Sequence, residues 1–367
     1  MEAAAGLRGA LRAVLAGLPG GGGQAPAAAA EASLEGGLER ADVWAEALAA
    51  ASRAATQLSL AAASGPQVSR GGGAGREGLA GASRGRPLPS SPFFSQDLEL
   101  LSGEAERAVL AAAAVYQGLP EDRGRTLRRA VGAAVGEVAE GLLRLTDALH
   151  LLLASPSAEQ QRRVATGGVW EACERAAALP RDPPAAVASA LASCLAVVGD
   201  ALREMEQALV EGGGPYQDVP EEEEEEEEVA PRGNREVCWS EADRRLLDPC
   251  VGLVKAAKAC LKKILGAVKA LGKADTAEQV AQLDDLADAA GDVSPSVDEL
   301  VLSIYPPVNQ LTLRLNAAKL AAVLKKMLEV TWASHVCVPS EESWVQFLSG
   351  AVDHNMDKIK ELTQGGL

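Results

Sequence analysis

Between residues 241 and 271 two heptad series interleave: Leu247, Val254, Leu261 and Val268 at one position, Cys250, Ala257, Ile264 and Leu271 at the other. A seven-residue apolar repeat gathers both series on one stripe of an α-helix. That stripe must be covered, either by a second chain in a zipper or by other helices of the same chain. Ala257 and Cys250 are small for a two-stranded zipper, and further helical segments follow. The favoured reading is therefore an intramolecular bundle seam.

The rest of the chain reads as helix with interruptions. Apolar residues make up 47 % and aromatics only 3 %, with Ala and Leu dominant. Such small and unbranched residues favour helix over sheet. Helices are expected over 33–62, 96–117, 124–154, 159–178 and 183–211, then over 241–271, 276–290, 307–331 and 340–362. In 124–154 the stripe is Leu127, Val131, Val135, Val138, Leu142, Leu145 and Leu149. Ser240-Glu-Ala-Asp243 is a capping-box-like start. Ser294-Pro295 starts another helix, with Ser at the cap and Pro in the first turn. The helix 307–331 is apolar on most sides, which places it centrally.

The predicted organisation is a disordered N-terminus (1–31) and an N-terminal helical domain (32–214) with a disordered insert at 64–92. An acidic linker (215–235) and a C-terminal five-helix bundle (236–367) follow. Residues 64–92 are rich in Gly, Ser, Arg and Pro and lack an apolar period. Glu221 to Glu228 is an unbroken acidic run that repels itself and buries nothing. The fold class is all-α, two helical domains joined by that linker.

The formal net charge is −16, and the acidic run supplies much of it. The six cysteines are scattered, with no CxxC and no metal-ligand spacing, which suits reduced thiols. No signal peptide is recognised, and no charge-free apolar run approaches about 18 residues, so no transmembrane helix is expected. The three histidines, His150, His335 and His354, fall on different segments. No phosphate-cradling Gly loop or nucleophile elbow occurs. These features point away from an enzyme, from cofactors and from membrane binding. Lys255, Lys258, Lys262, Lys263, Lys269 and Lys273 flank the heptad seam rather than forming a dense block before it. Direct nucleic-acid contact is therefore not expected.

What remains is contact with proteins. Asp284, Asp285 and Asp288 fall within about one turn and read as a solvated acidic face. Together with Lys258 and Lys262 they are the candidate partner-binding residues. Ser294, before Pro295 in a corner between helices, is the candidate phosphorylation site.

Particular strings carry a resemblance. They include Ala257-Lys-Ala-Cys-Leu-Lys-Lys-Ile264, Val280-Ala-Gln-Leu-Asp-Asp285, Ser294-Pro-Ser-Val-Asp298, Leu302-Ser-Ile-Tyr-Pro-Pro307 and Ala333-Ser-His-Val336, with thinner matches such as Pro180-Arg-Asp182 upstream. They resemble the cyclin-D-binding protein 1 family, also described as Grap-and-cyclin-D-interacting proteins. The resemblance covers about 38–62 and 96–367 and implies elongated vinculin- or talin-like helical bundles. It further implies binding to D-type cyclins and to a Grap-type adaptor, less kinase phosphorylation of the retinoblastoma protein, and restraint of cell-cycle progression. Sequestration of helix-loop-helix transcription factors, and residence in nucleus and cytoplasm, go with it. The alternative is a vinculin-like cytoskeletal or signalling adaptor.

Overall fold

The computed structural model describes residues 2–18, 37–63, 92–152, 159–211, 239–338 and 342–364. The expected acidic linker 215–235 and, apart from Pro92 at the start of a helix, the expected insert 64–92 lie outside these residues. The described residues form α1 (Glu2–Ala16), α2 (Gly37–Ala63), α3 (Pro92–Gln117), α4 (Arg125–Leu152), α5 (Glu159–Ala177), α6 (Pro183–Glu211), α7 (Glu241–Leu271), α8 (Ala277–Gly291), α9 (Val293–Ser303), α10 (Gln310–Ala333) and α11 (Glu342–Gln364). Among them there is no β-strand. The chain divides into two compact units, one of Met1–Glu121 and Arg128–Leu179, the other of Asp122–Leu127 and Pro180–Leu367.

In the first unit, Leu7, Leu11 and Val14 of α1 join Leu48 and Leu58 of α2, Val109 of α3, Val138, Leu142 and Leu145 of α4, and Val169 of α5 in one core. The N-terminus, expected to be disordered to residue 31 apart from a weak amphipathic helix through Leu7, Leu11, Val14, Leu15 and Leu18, thus contributes a packed helix. Its leucines recur at helical spacing, and the other helices cover them. Alanines such as Ala51, Ala55, Ala105, Ala139 and Ala176 are fully buried between the larger side chains. Polar ties fix the pairing of α2 with α5. Trp44 Nε1–H donates to the Ala176 carbonyl at 3.1 Å. The buried Arg162 guanidinium donates to the Ser59 carbonyl at 2.8 Å and also to its hydroxyl. A buried charge of this kind needs its hydrogen bonds filled, which holds the two helices in register.

The second unit is built on α7. Leu247, Cys250, Val254, Ala257, Leu261, Ile264 and Val268 are buried in a core shared with α6 and α8–α11. The heptad seam is therefore satisfied within the chain, and only Leu271 at its end is half-exposed. The capping box at Ser240 and Asp243 is formed, and a second one joins Thr276 and Gln279 at the start of α8. Asn309 caps α10 by accepting the Thr312 N–H at 3.0 Å. Trp239 donates to the Ile304 carbonyl at 2.8 Å and stacks on Tyr305. That contact closes the start of α7 onto the end of α9.

The boundary between units differs from the expected one near residue 214. Helix α6 packs with the C-terminal helices through Val187, Leu191, Val198, Leu202 and Met205. Those residues recur on one face of α6, and α7 and α8 supply the matching surface. The C-terminal bundle thus has six helices rather than five. Contrary to expectation, α6 is also long and apolar enough, by length and composition, to cross a membrane. Its face of Val187, Leu191, Val198, Leu202 and Met205 is buried in the core of this unit.

Candidate interaction surface

The acidic triplet of α8 is not the open face its spacing suggests. Asp284 is 4 % exposed. Its carboxylate accepts the backbone N–H of Arg125 at 2.6 Å and that of Thr126 at 2.9 Å. Both belong to the first turn of α4, so a side chain 158 residues further along serves as that helix's cap. Gly124 makes this approach geometrically feasible. Its φ is +84°, and an added Cβ would lie 2.9 Å from Val280 Cγ1 and 3.2 Å from each Asp284 oxygen. The Arg125 guanidinium then reaches Asp285 at 3.1 Å and Asp288 at 3.2 Å. Asp285 remains 60 % and Asp288 40 % exposed at the side chain. Asp284 is thus corrected from partner-binding candidate to buried cap. Heptad and helix spacing put all three acids on one side of α8, but only the tertiary fold reveals that α4 begins there.

The basic candidates differ from each other. Lys262 is exposed on α7, whereas Lys258 is half-buried along α6 near Gly199. Lys255, beside them, is paired with Glu206 at 2.8 Å. The structure does not bring Lys258 and Lys262 together with the α8 acids into a shared cluster of ion pairs.

Ser294 is not a cap. Helix α9 starts at Val293, with Asp292 as both the end of α8 and the N-cap of α9, and no side chain caps it. Ser294 is half-buried in the first turn, with its backbone against the Cys194 thiol. The expected loop between the two helices shrinks to one residue, because Val293 and Val297 are drawn fully into the core. Gly291, Asp292 and Pro295 around it are exposed.

The open apolar surface lies elsewhere. Leu302 on α9 and Leu311 and Leu315 on α10 are 72 %, 59 % and 60 % exposed. Leu311 and Leu315 are one turn apart on the same side of α10. Lys319 pairs with Glu299 at 2.7 Å and Asn316 donates to the Glu299 carbonyl at 2.9 Å, which tie α10 to α9. The central placement expected for this helix holds for one side only, because α10 carries apolar residues on more faces than its neighbours cover. Leu313, Leu320, Leu324 and Met327 are buried, and the surplus leucines face solvent.

Among the described residues no group of three or more His, Cys, Asp or Glu could hold a metal ion. Burial pushes the Cys173 thiol up to about 11 and those of Cys250 and Cys260 up to about 12, so they stay protonated and poorly nucleophilic near neutrality. His150 and His354 are exposed on α4 and α11.

The filled core and the absence of strands among the described residues place the chain in the class of all-α helical-bundle proteins. Comparison with known proteins makes this specific. The N-terminal model of the Grap2 and cyclin-D-interacting family matches residues 45–211, and its C-terminal model matches 221–329. The chain belongs to that family. It is 53 % identical over 281 residues to the cyclin-D1-binding protein 1 homolog of Xenopus laevis, covering 77 % of this chain and 82 % of that one. It is 46 % identical over 278 residues to the Danio rerio homolog, covering 75 % and 78 %. With cyclin-D1-binding protein 1 of Homo sapiens it shares 43 % identity over 290 residues, covering 77 % and 78 %. The family models meet between residues 211 and 221, so α6 falls in the N-terminal model while packing with the C-terminal unit.

Proposed function

We propose that this protein is a non-enzymatic binding protein for a D-type cyclin and that it restrains cell-cycle progression by lowering cyclin-dependent phosphorylation of the retinoblastoma protein. The observation that carries the reading is the 43–53 % identity, over three-quarters of the chain, to relatives named for binding cyclin D1. The bundle supports it: the heptad helix is buried, and α9 and α10 offer exposed leucines without a catalytic constellation beside them. A Grap-type adaptor is a second partner in this reading, and the protein works in cytoplasm and nucleus. Capture of helix-loop-helix transcription factors is the more distant extension, because a seam already filled by α6 and α8–α11 must first open. The test is affinity capture on the full chain from separate nuclear and cytoplasmic extracts, followed by direct binding with a purified D-type cyclin. Recovery of the cyclin and saturable direct binding are expected. Recovery of actin or adhesion proteins without cyclin favours the vinculin-like adaptor and overturns the reading.

A further inference from the structure

His335 sits in the connection between α10 and α11, where three segments of the second unit meet. Its backbone N–H and its Nδ1 both reach the side-chain oxygen of Gln282 on α8, at 2.9 and 2.8 Å. Its Nε2 lies 3.1 Å from the backbone N–H of Lys273, in the connection between α7 and α8. The donor and acceptor roles follow without further assumption. The Gln282 oxygen can only accept, so Nδ1 carries a proton. The Lys273 amide can only donate, so Nε2 must present its lone pair. All these contacts coexist only on a neutral ring in the Nδ1–H tautomer. A second proton would stand on Nε2, directly against the Lys273 N–H.

We propose that His335 is a pH-sensitive clip, whose protonation releases the α7–α8 connection from the α10–α11 connection. The charged groups around it work in one direction or stand apart. Lys273 faces the ring from the α7–α8 connection and opposes a second positive charge. On α8 the facing group is the neutral Gln282, with Glu278 behind its amide at 3.5 Å. On the ring's own connection Ser334, Val336 and Cys337 carry no charge. Burial and Lys273 both hold the imidazole below its ordinary 6.5, in the same sense as the geometry. The clip is therefore closed above that value, and acid lost from solution to the open form drives it apart.

The test uses the full chain and reads the protection factor of the Lys273 amide by hydrogen exchange from pH 8 to pH 5. Protection is expected to be level above about 6.5 and to fall by up to tenfold per pH unit below it, the limit for release coupled to one proton. His335→Gln should remove that dependence, while His150→Gln and His354→Gln should leave it unchanged. Nitrogen shifts of the wild-type imidazole give an independent reading should the Gln variant fold poorly, and a protonated Nδ1 with bare Nε2 is expected at neutral pH. Flat protection to pH 5, an unaltered fall in His335→Gln, or a ring protonated at Nε2 near neutrality would each overturn the proposal.

Discussion

At the scale of single residues, the buried carboxylate of Asp284 makes the strongest demand on the fold. It satisfies two backbone donors that have no intrahelical partner. Asp284→Ala leaves both orphaned in a dry setting, at about 1–3 kcal/mol for each unmet group. Asp284→Asn retains one acceptor and should lose markedly less. Denaturant unfolding of both variants checks the order, and equal losses would show that the caps contribute little. Gly124→Ala should also destabilise, since a non-glycine residue at positive φ costs about 1–2 kcal/mol before the contact with Val280 is added. The acids at this corner were visible in the sequence as a triplet within one turn. Their inward and outward split was not, because it depends on a helix start more than 150 positions away.

Among the elements, α7 organises the second unit. Leu261 is fully buried at the middle of the seam. Leu261→Ala should cost about 2–5 kcal/mol, measured by thermal or chemical unfolding of the monomer. A loss under about 1 kcal/mol, together with a mass that rises with concentration, would return the seam to the zipper role. Gly252 lets α11 approach α7, since a Cβ there would collide with the Asn355 side chain. Gly252→Ala should therefore displace the Asn355 side chain from its hydrogen bond to Ala351, and a crystal structure of the variant reads that displacement. Ser240→Ala removes an observed capping box and should cost about 1 kcal/mol, visible as faster exchange in the first turn of α7. These helices were legible from periodicity and caps alone. Thr276 and Gln279 form the same box at the start of α8, with the same residue spacing.

On the scale of the whole molecule, the placement of α6 has a direct consequence for fragments. A chain starting at the expected boundary of 215 lacks α6, and with it the cover over Val254, Leu261 and their neighbours. It should bind a hydrophobic dye and unfold without a sharp transition. A chain that retains residues 180–367 should recover much of the cooperativity, short of the capped segment at 122–127. Indistinguishable unfolding of the two fragments would show that α6 is dispensable to this unit. The same comparison bears on function, since any partner assay with the shorter fragment would expose surface that the full chain buries.

The positions of the helices, their apolar stripes and the buried seam of α7 were determined by the sequence itself. Periodicity and capping are local, and each is written within a few turns of the residue concerned. So were the family strings, which depend on order along the chain and on nothing beyond it. The tertiary structure decided the membership of α6, the burial of Asp284, the move of the α9 cap from Ser294 to Asp292 and the exposure of Leu302, Leu311 and Leu315. Each of these depends on which distant helix arrives at a given face, and no local pattern specifies its partner. A stripe shows that a residue needs cover, and only packing determines whether cover is found.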